Sequence, residues 1–464
     1  MLTAKKLGRY SLKNQRCESL RRCVFGVKKK THLAERQTYD IPPNKSFSNR
    51  LYAEFFCCYL LPKHTMSKPQ TIAIKLKPAA ERMVKKGHPW IFEGAITKQS
   101  ADGTADDLAI IYDQKKNKFL AIGFYDPYSP IRIKILQAHQ PAKINAEWFT
   151  EKIKAAFAKR KPLLETDTNS YRLIYGENDG LPGLICDVYD NVLVVKLYAH
   201  YWISKLDEVM PALLEVSEAD TVVLRLSRLL QQQGDLKGYE NGQVIHGTLE
   251  DEVVVFREHG LLFSANVIKG HKTGSFLDHR HNRKRVGELA NGKVVLDVFA
   301  YAGGFSVHAL AGGATEVTSL DISAQALKMA EGNVALNKLT NGHKTMAVDA
   351  FEGLAKLQGA EKQFDLIVID PPSFAKQASE VAVAENQYKR LALLGAGLVK
   401  KNGILLLASC SSRILAEDFY TFMTEVLTEN GYRFEVLEKT QHDVDHPIGF
   451  KEGAYLKSLY LRML

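Results

Sequence analysis

From residue 266 to the end of the chain, short apolar β-rich runs alternate with stretches of helical period. The runs fall at 294–298, 316–320, 345–348, 366–369 and 404–408, and the helical stretches at 305–312, 324–337, 351–357, 382–399 and 415–429. Few architectures accept this order. It predicts a doubly wound α/β domain with a parallel sheet and helices on both faces. Two further runs, 433–437 and 455–464, follow without a full crossover helix between them, which predicts an antiparallel pair at one edge.

Ligands of open α/β sheets bind beyond the carboxyl ends of the strands. Those ends carry Asp297, Asp321, Asp349, Asp370 and Cys410 in turn. Asp321 and Asp349 also stand where helix N-caps belong, but four acids and a thiol at successive strand ends point to a site. After Asp297 comes a small-residue turn, Phe299-Ala-Tyr-Ala-Gly-Gly, in which Ala300, Ala302, Gly303 and Gly304 let a ligand approach the backbone. The third glycine of a dinucleotide fingerprint is absent. Asp321 follows Asp297 at the spacing of an acid that accepts ribose hydroxyls. NAD and S-adenosylmethionine both carry such a ribose. A pyrophosphate needs the glycine-rich helix start, whereas an amino-acid ammonium suits an acid such as Asp297. The incomplete fingerprint therefore favours S-adenosylmethionine.

Asp370-Pro-Pro-Ser-Phe closes the fourth run. Two prolines fix an extended, rigid turn. Its carbonyls and one carboxylate can grip the edge of a planar base while Phe374 stacks on it, and this is similar to motif IV of methyltransferases that act on nucleobases. Ser409-Cys-Ser-Ser follows the fifth run. Cytosine C5 is a weak nucleophile, and a thiolate adding to C6 makes it enamine-like. A free thiol titrates near ~8.5, so nearby positive charge has to raise its thiolate fraction.

The front of the chain reads differently. Residues 70–140 give short strands separated by turn residues, a small β domain. Lys85, Lys86, His88 and Trp90 gather at one turn, either as an RNA contact or as a solvated turn beside a core tryptophan. Residues 141–265 form a small α/β unit: an amphipathic helix over 146–160 that Pro162 ends, then strands at 192–198 and 221–226 with helix over 202–214 between them. Cys186 reads as core. The net charge of +10 suggests nucleic acid only until it is located. Residues 1–65 hold 14 Lys and Arg against 4 Asp and Glu, and the remainder holds 48 of each. Four of the six cysteines also lie there, so no disulfide framework or zinc spacing emerges and a reducing, cytoplasmic setting is expected. Residues 1–65 are expected to be poorly ordered. They read as upstream sequence before a true start at Met66, as a targeting peptide, or as an RNA-binding arm. No apolar run reaches the ~18 residues of a membrane span, and no membrane or metal partner is expected.

Gly270-His-Lys-Thr-Gly-Ser-Phe-Leu-Asp-His-Arg resembles the K-T-G-x-[FY]-L-D-Q-R segment of the RlmI-type 23S ribosomal RNA methyltransferases. Asp-Pro-Pro-Ser-Phe, Ser-Cys-Ser, Gly180-Leu-Pro-Gly, Gly87-His-Pro-Trp-Ile-Phe and Glu452-Gly-Ala-Tyr-Leu-Lys resemble that family too, over roughly 70–464. The resemblance implies a PUA domain, a central α/β domain and a Rossmann-like class I methyltransferase domain. It implies S-adenosylmethionine as cofactor and 23S ribosomal RNA as partner, with the enzyme a monomer or homodimer. It assigns catalysis to Cys410 and Asp370. Cofactor contacts fall to Asp278, Asp297, Phe299, Ala302, Gly303, Asp321, Ile322, Asp349, Ala350 and Asp370. Substrate contacts fall to Lys272, Arg280, Pro371, Pro372 and Phe374. Lys272, Arg280, Arg283, Lys284 and Arg285 would give the RNA a basic entrance. Two departures stand out: His279 replaces the family's glutamine, and 224–233 lacks its arginine- and acid-bearing pattern. Three activities remain open: cytosine-C5 methylation, guanine-N7 methylation on the same fold, and a non-catalytic RNA-binding assembly factor.

Overall fold

The computed structural model describes residues 70–464. The expectation for 1–65 lies outside the described residues.

The first sheet holds β1 (Thr71–Leu76), β2 (Trp90–Ile91), β3 (Ile96–Gln99), β4 (Leu108–Tyr112), β5 (Phe119–Tyr125) and β6 (Ile133–Ala138), in spatial order β2-β6-β5-β4-β1-β3. Helix α1 (Pro78–Lys85) has proline in its first turn, where the missing N–H is no loss.

Helix α2 runs Ala146–Leu164, started by the Asn145 side chain, which accepts the Trp148 N–H. Pro162 lies inside its last turn and does not end it at 160 as expected; it costs one hydrogen bond, and only two helical residues follow it. The central sheet follows: β7 (Ser170–Tyr175), β8 (Leu184–Tyr189), β9 (Val192–Leu197), β10 (Thr221–Leu226) and β11 (Gln243–His246), in order β11-β10-β9-β8-β7. The helix expected over 202–214 is a 3₁₀ turn, His200–Ser204, and then α3 (Leu206–Ser217).

β7 and β10 are buried at every residue because the central sheet is covered on both faces. On one face Leu193, Val195 and Leu224 share a core with Trp202 and with Phe124 of the first sheet, whose ring stacks on Tyr201 at 4.6 Å. On the other, Tyr189, Val194 and Val223 share a core with the catalytic region. The expected boundary near 140 is crossed by one continuous core. Trp90 and His88 belong to this docking: Trp90 Nε1 donates to Glu177 at 2.9 Å and its ring meets Phe450 edge-on at 5.0 Å, while His88 sits 3.4 Å from Glu452.

After the short helix α4 (Arg228–Gln232) and β11 comes a hairpin absent from the sequence reading, β12 (Val253–Glu258) and β13 (Leu261–Asn266). His259 and Gly260 both have positive φ, the two-residue turn that matches strand twist. Phe256 and Phe263 lie in one core with Phe305 and Val307, so the hairpin caps the catalytic region although it precedes residue 266.

Beyond it lie α5 (Arg280–Leu289), β14 (Val294–Val298), α6 (Gly304–Ala311), β15 (Glu316–Asp321), α7 (Ala324–Leu336), β16 (His343–Ala347), α8 (Ala350–Gly359), β17 (Phe364–Ile369), α9 (Val381–Ala396), β18 (Val399–Ser409), α10 (Ala416–Glu429), β19 (Phe434–Thr440) and β20 (Lys457–Met463). The seven-stranded sheet has order β16-β15-β14-β17-β18-β20-β19. β14 to β18 are parallel, and β20 runs antiparallel between β18 and β19, as the missing crossover helix predicts. Strand order reverses between β14 and β17, and there a crevice opens.

Candidate active site

The turn after β14 is the strained part of the crevice. Phe299 and Tyr301 adopt φ of 65° and 49°, where a bulky side chain is disfavoured. Neighbouring elements over-determine it. Ala300 N–H donates to Leu320 O at 3.0 Å, Tyr301 N–H to Asp321 Oδ2 at 2.9 Å, and Asn333 Nδ2 to Ala302 O at 2.9 Å. Gly303, with φ of 74°, starts α6; a Cβ there would meet the Ala330 Cβ at 2.7 Å. It serves close helix packing and does not itself line the cavity. Ala350, buried at the start of α8, does not line it either.

A cavity of about 490 Å³ occupies the crevice. Phe299, Ala302, Asp321, Ile322 and Asp349 line one end; Asp370, Pro371, Pro372, Phe374 and Cys410 line the other; Lys272 and Asp278 close it from the segment before α5. Thus twelve residues singled out from sequence, spread over 139 positions, meet at one surface. Asp321 accepts the N–H groups of Tyr301 and Ser323, one on each oxygen, and lone pairs remain for hydroxyls. Beside it Ile322 is 73% exposed, an apolar side chain held out near Phe351. Asp349 caps α8 through the N–H groups of Phe351 and Glu352.

Asp297 departs from expectation. Its side chain is buried beneath the turn and does not line the cavity. Oδ2 accepts the Ser306 N–H at 3.1 Å and the Ser306 hydroxyl at 2.7 Å, while Oδ1 has no hydrogen-bond partner among the described residues. Burial pushes its carboxyl up to about 7 against the Ser306 hydrogen bond, and Asp370 adds to the rise.

Asp278 is buried and accepts the Tyr455 hydroxyl at 2.6 Å. Burial alone would raise it, but Lys272, His446 and His279 hold it well below the usual carboxylate range. His279 Nε2 lies 3.3 Å from Asp370 Oδ1, an ion-pair contact whose angle falls short of a hydrogen bond. Burial disfavours its charge, and the facing Asp370 raises the imidazole above its ordinary value.

Cys410 Sγ donates to Pro371 O at 3.6 Å, which joins the thiol to the Asp-Pro-Pro turn. Burial, Asp370 and Asp278 push the thiol up to about 12; Lys272 and Lys457 pull it down. Phe374 meets Tyr388 edge-on at 5.0 Å, and the Tyr388 hydroxyl accepts from Ser409 at 3.0 Å, which braces the residue before the thiol.

Arg280 is corrected outright. It is fully buried, donating to Ser170 O at 2.8 Å, to Asp445 at 3.1 Å and to Asp443 at 3.2 Å, and it cannot meet a substrate. Arg283 is buried on Glu258 at 2.6 Å, and Arg285 pairs with Glu288 and Glu438. Of the expected basic entrance, Lys272 and the paired Arg283 line the cavity and Lys284 is exposed. Sequence reasoning missed Tyr455, Glu258, Asn333 and the hairpin residues Phe256 and Phe263 as site residues; Tyr455 lay in the Glu452-Gly-Ala-Tyr-Leu-Lys segment, and the phenylalanines in the alternation beside His259-Gly260.

A family model for S-adenosylmethionine-dependent methyltransferases matches residues 172–462, and a PUA-like domain model matches residues 74–138. The chain belongs to this methyltransferase family. It is 42% identical over 408 residues to a ribosomal RNA large subunit methyltransferase of Deinococcus radiodurans, covering 86% of this chain and 100% of the relative. It is 34% identical to ribosomal RNA large subunit methyltransferase I of Tolumonas auensis (84% and 99% covered) and 32% identical to that of Escherichia coli (85% and 100%). A solved chain from Streptococcus mutans, classed as a SAM-dependent methyltransferase, superposes with a TM-score of 0.71 at 20% identity, covering 84% of this chain and 99% of the other. Another methyltransferase, solved with SAH, gives 0.72 at 20% identity over 85% and 100%. Both show the same fold. This methyltransferase uses S-adenosylmethionine, and its crevice suits that molecule: acids with free lone pairs, an exposed apolar side chain beside them, and room for a nucleoside. Among the described residues no helix is long and apolar enough to cross a membrane, and no cluster of three or more His, Cys, Asp or Glu could hold a metal.

Proposed function

We propose that this methyltransferase modifies C5 of a cytosine in large-subunit ribosomal RNA through a covalent adduct with Cys410, in the cytoplasm. The observation that carries the reading is the meeting of Cys410 and Asp370-Pro-Pro in one cavity, Sγ 3.6 Å from the Pro371 carbonyl. The RNA substrate follows the relatives' names.

Asp321 would hold the ribose hydroxyls of the cofactor, Ile322 and Phe351 would flank its base, and Asp278 would face its amino-acid end. When bound, S-adenosylmethionine supplies an electrophilic methyl group. The chain's own residues do the rest. Asp370 and the Pro371 carbonyl grip the amino edge of the base, and Phe374 stacks on it. The Cys410 thiolate gives its electron pair to C6, and the C5–C6 π pair moves to C5, which then takes the methyl. A base removes the C5 proton, and that pair reforms the double bond as Sγ leaves with its own.

The test is Cys410→Ala in a strain lacking the native gene, read by mass spectrometry of rRNA nucleosides. Loss of one 5-methylcytidine in the deletion, restored by the wild type and not by the variant, is expected. If Cys410→Ala restored full methylation, or if 7-methylguanosine were the nucleoside lost, the covalent reading would be wrong. No change in either nucleoside would favour the assembly-factor role.

A further inference from the structure

Lys457 opens β20 directly opposite Ser409, the residue before Cys410. It is 1% exposed. Its ammonium donates to the backbone carbonyls of Ser411, Ile414 (2.7 Å) and Tyr455 (2.9 Å). Among the described residues the other buried cations sit on carboxylates: Lys134 on Asp126, Arg160 on Asp179, Arg172 on Asp187, Arg280 on Asp445 and Arg283 on Glu258. Arg225 is an exception, holding the Val267 and Gly270 carbonyls with a delocalised guanidinium. Lys457 is the other, a compact ammonium whose hydrogen bonds all go to neutral oxygens. A buried charge without a counter-ion is costly unless one arrives.

The three carbonyls explain where one arrives. Ser411 and Ile414 belong to the turn that leaves Cys410, and Tyr455 is the residue whose hydroxyl donates to Asp278. One side chain thus ties the thiol's turn to the wall of the cavity. The rest of that turn is held by neutral bonds: Ser411 Oγ to Ala375 O at 3.1 Å, and Ser409 Oγ to Tyr388 at 3.0 Å.

We propose that Lys457 is a positioning residue for Cys410: it pins the turn that carries the thiol and sets a positive charge against the thiolate that forms when the thiol proton leaves to solvent. The inference rests on the covalent reading above. The titration of the ammonium accompanies the geometry, since burial brings it down to about 8, with Cys410 opposing that fall. The groups facing the thiol are Asp370 after β17, Asp278 and Lys272 before α5, Tyr388 on α9 and Lys457 on β20. His442, which burial brings down to about 3, also feels Lys457 and stays neutral.

The test uses the full chain as Lys457→Met, Lys457→Arg and Cys410→Ala. Alkylation of Cys410 by iodoacetamide is followed by peptide mass spectrometry from pH 6 to 10, and cofactor binding by calorimetry reports folding. In Lys457→Met the alkylation profile is expected to move to higher pH by about one unit, a tenfold slower reaction at pH 8. Methyl transfer should lose about tenfold in kcat with cofactor affinity unchanged. Lys457→Arg should return both to within a few fold. Should Lys457→Met fail to bind cofactor, Lys457→Gln, which keeps a donor for the carbonyls without the charge, takes its place with the same expectation. An unmoved profile in a variant that binds cofactor, or an Arg variant no better than the neutral one, overturns the role of Lys457. That failure is distinct from failure of the covalent reading, which would show as methylation persisting in Cys410→Ala.

Discussion

Two sets of buried charge lie close together in this molecule and are built on opposite terms. One joins the central sheet to the catalytic region. Arg160 pairs with Asp179 at 2.5 Å and reaches the Asp445 carbonyl; Arg172 forks onto Asp187 at 2.8 and 2.9 Å; Thr273 also donates to Asp187; Arg280 binds Asp445 and Asp443. Nearly every donor there has an acceptor, the loose end being Arg280 Nε, 3.9 Å from Glu258. The other set surrounds the cavity. Asp297 keeps an oxygen without a partner, Asp370 faces His279 off-angle, and Cys410 is pushed far above neutrality. Charges that hold a fold are closed on themselves, because a buried ion without partners is costly. Charges that serve a ligand leave capacity open for it.

The contrast can be broken by removing one member of each set. The largest effect is expected from Asp445→Ala, which strands the fully buried Arg280 and also takes an acceptor from the Arg172 N–H. Breaking a buried pair from one side costs about 3–5 kcal/mol, read as a fall in the urea midpoint. An unchanged midpoint would mean the junction does not depend on this network. Asp321→Ala should act the other way round. Calorimetry should show S-adenosylmethionine binding weakened by roughly 1.5–3 kcal/mol, about ten- to a hundredfold, with a smaller fall in stability from the freed Tyr301 and Ser323 N–H groups. A large melting shift without loss of affinity would move Asp321 into the structural set.

A pH-dependent effect sharpens the comparison, because Asp297 belongs to both sets. Its folded-state value of about 7 lies above the ~3.9 of an unfolded aspartate. The folded protein therefore holds the extra proton. Stability from this group is full below about pH 4, declines as pH rises to about 7, and stays lower above it. Asp297→Asn keeps an acceptor for Ser306 and removes the ionisation. It should gain stability on the wild type as pH rises from about 4 to 8, with the gap closing by pH 4. A gap that persisted at pH 4 would point to packing instead of ionisation.

Much of this was legible in the chain because its causes are local. Alternating periods mark β14 to β18 and the helices between them, and Asp349 announces a helix start by accepting N–H groups a few residues on, whereas α7 is capped by Ser323 and not by Asp321. The absence of a crossover helix before β20 placed an antiparallel pair, β19 and β20, at one edge of the sheet. Since side chains at the ends of parallel strands share one rim, the positions of Asp321, Asp370 and Cys410 in the chain are enough to assign them to one site. Lys272 and Arg280 show the limit. Both are basic, eight positions apart in one motif, yet Lys272 lines the cavity and Arg280 is a strut.

The sequence by itself determined the fold class and the class of ligand, because strand period, turn residues and strand-end acids act over a few residues. Only the tertiary structure decided which charges stay open. Tyr455 reaches Asp278 across 177 positions, and Asp445 reaches Arg280 across 165. Whether a carboxylate finds a partner depends on segments that meet only when the chain closes, and burial then sets whether that partner is needed.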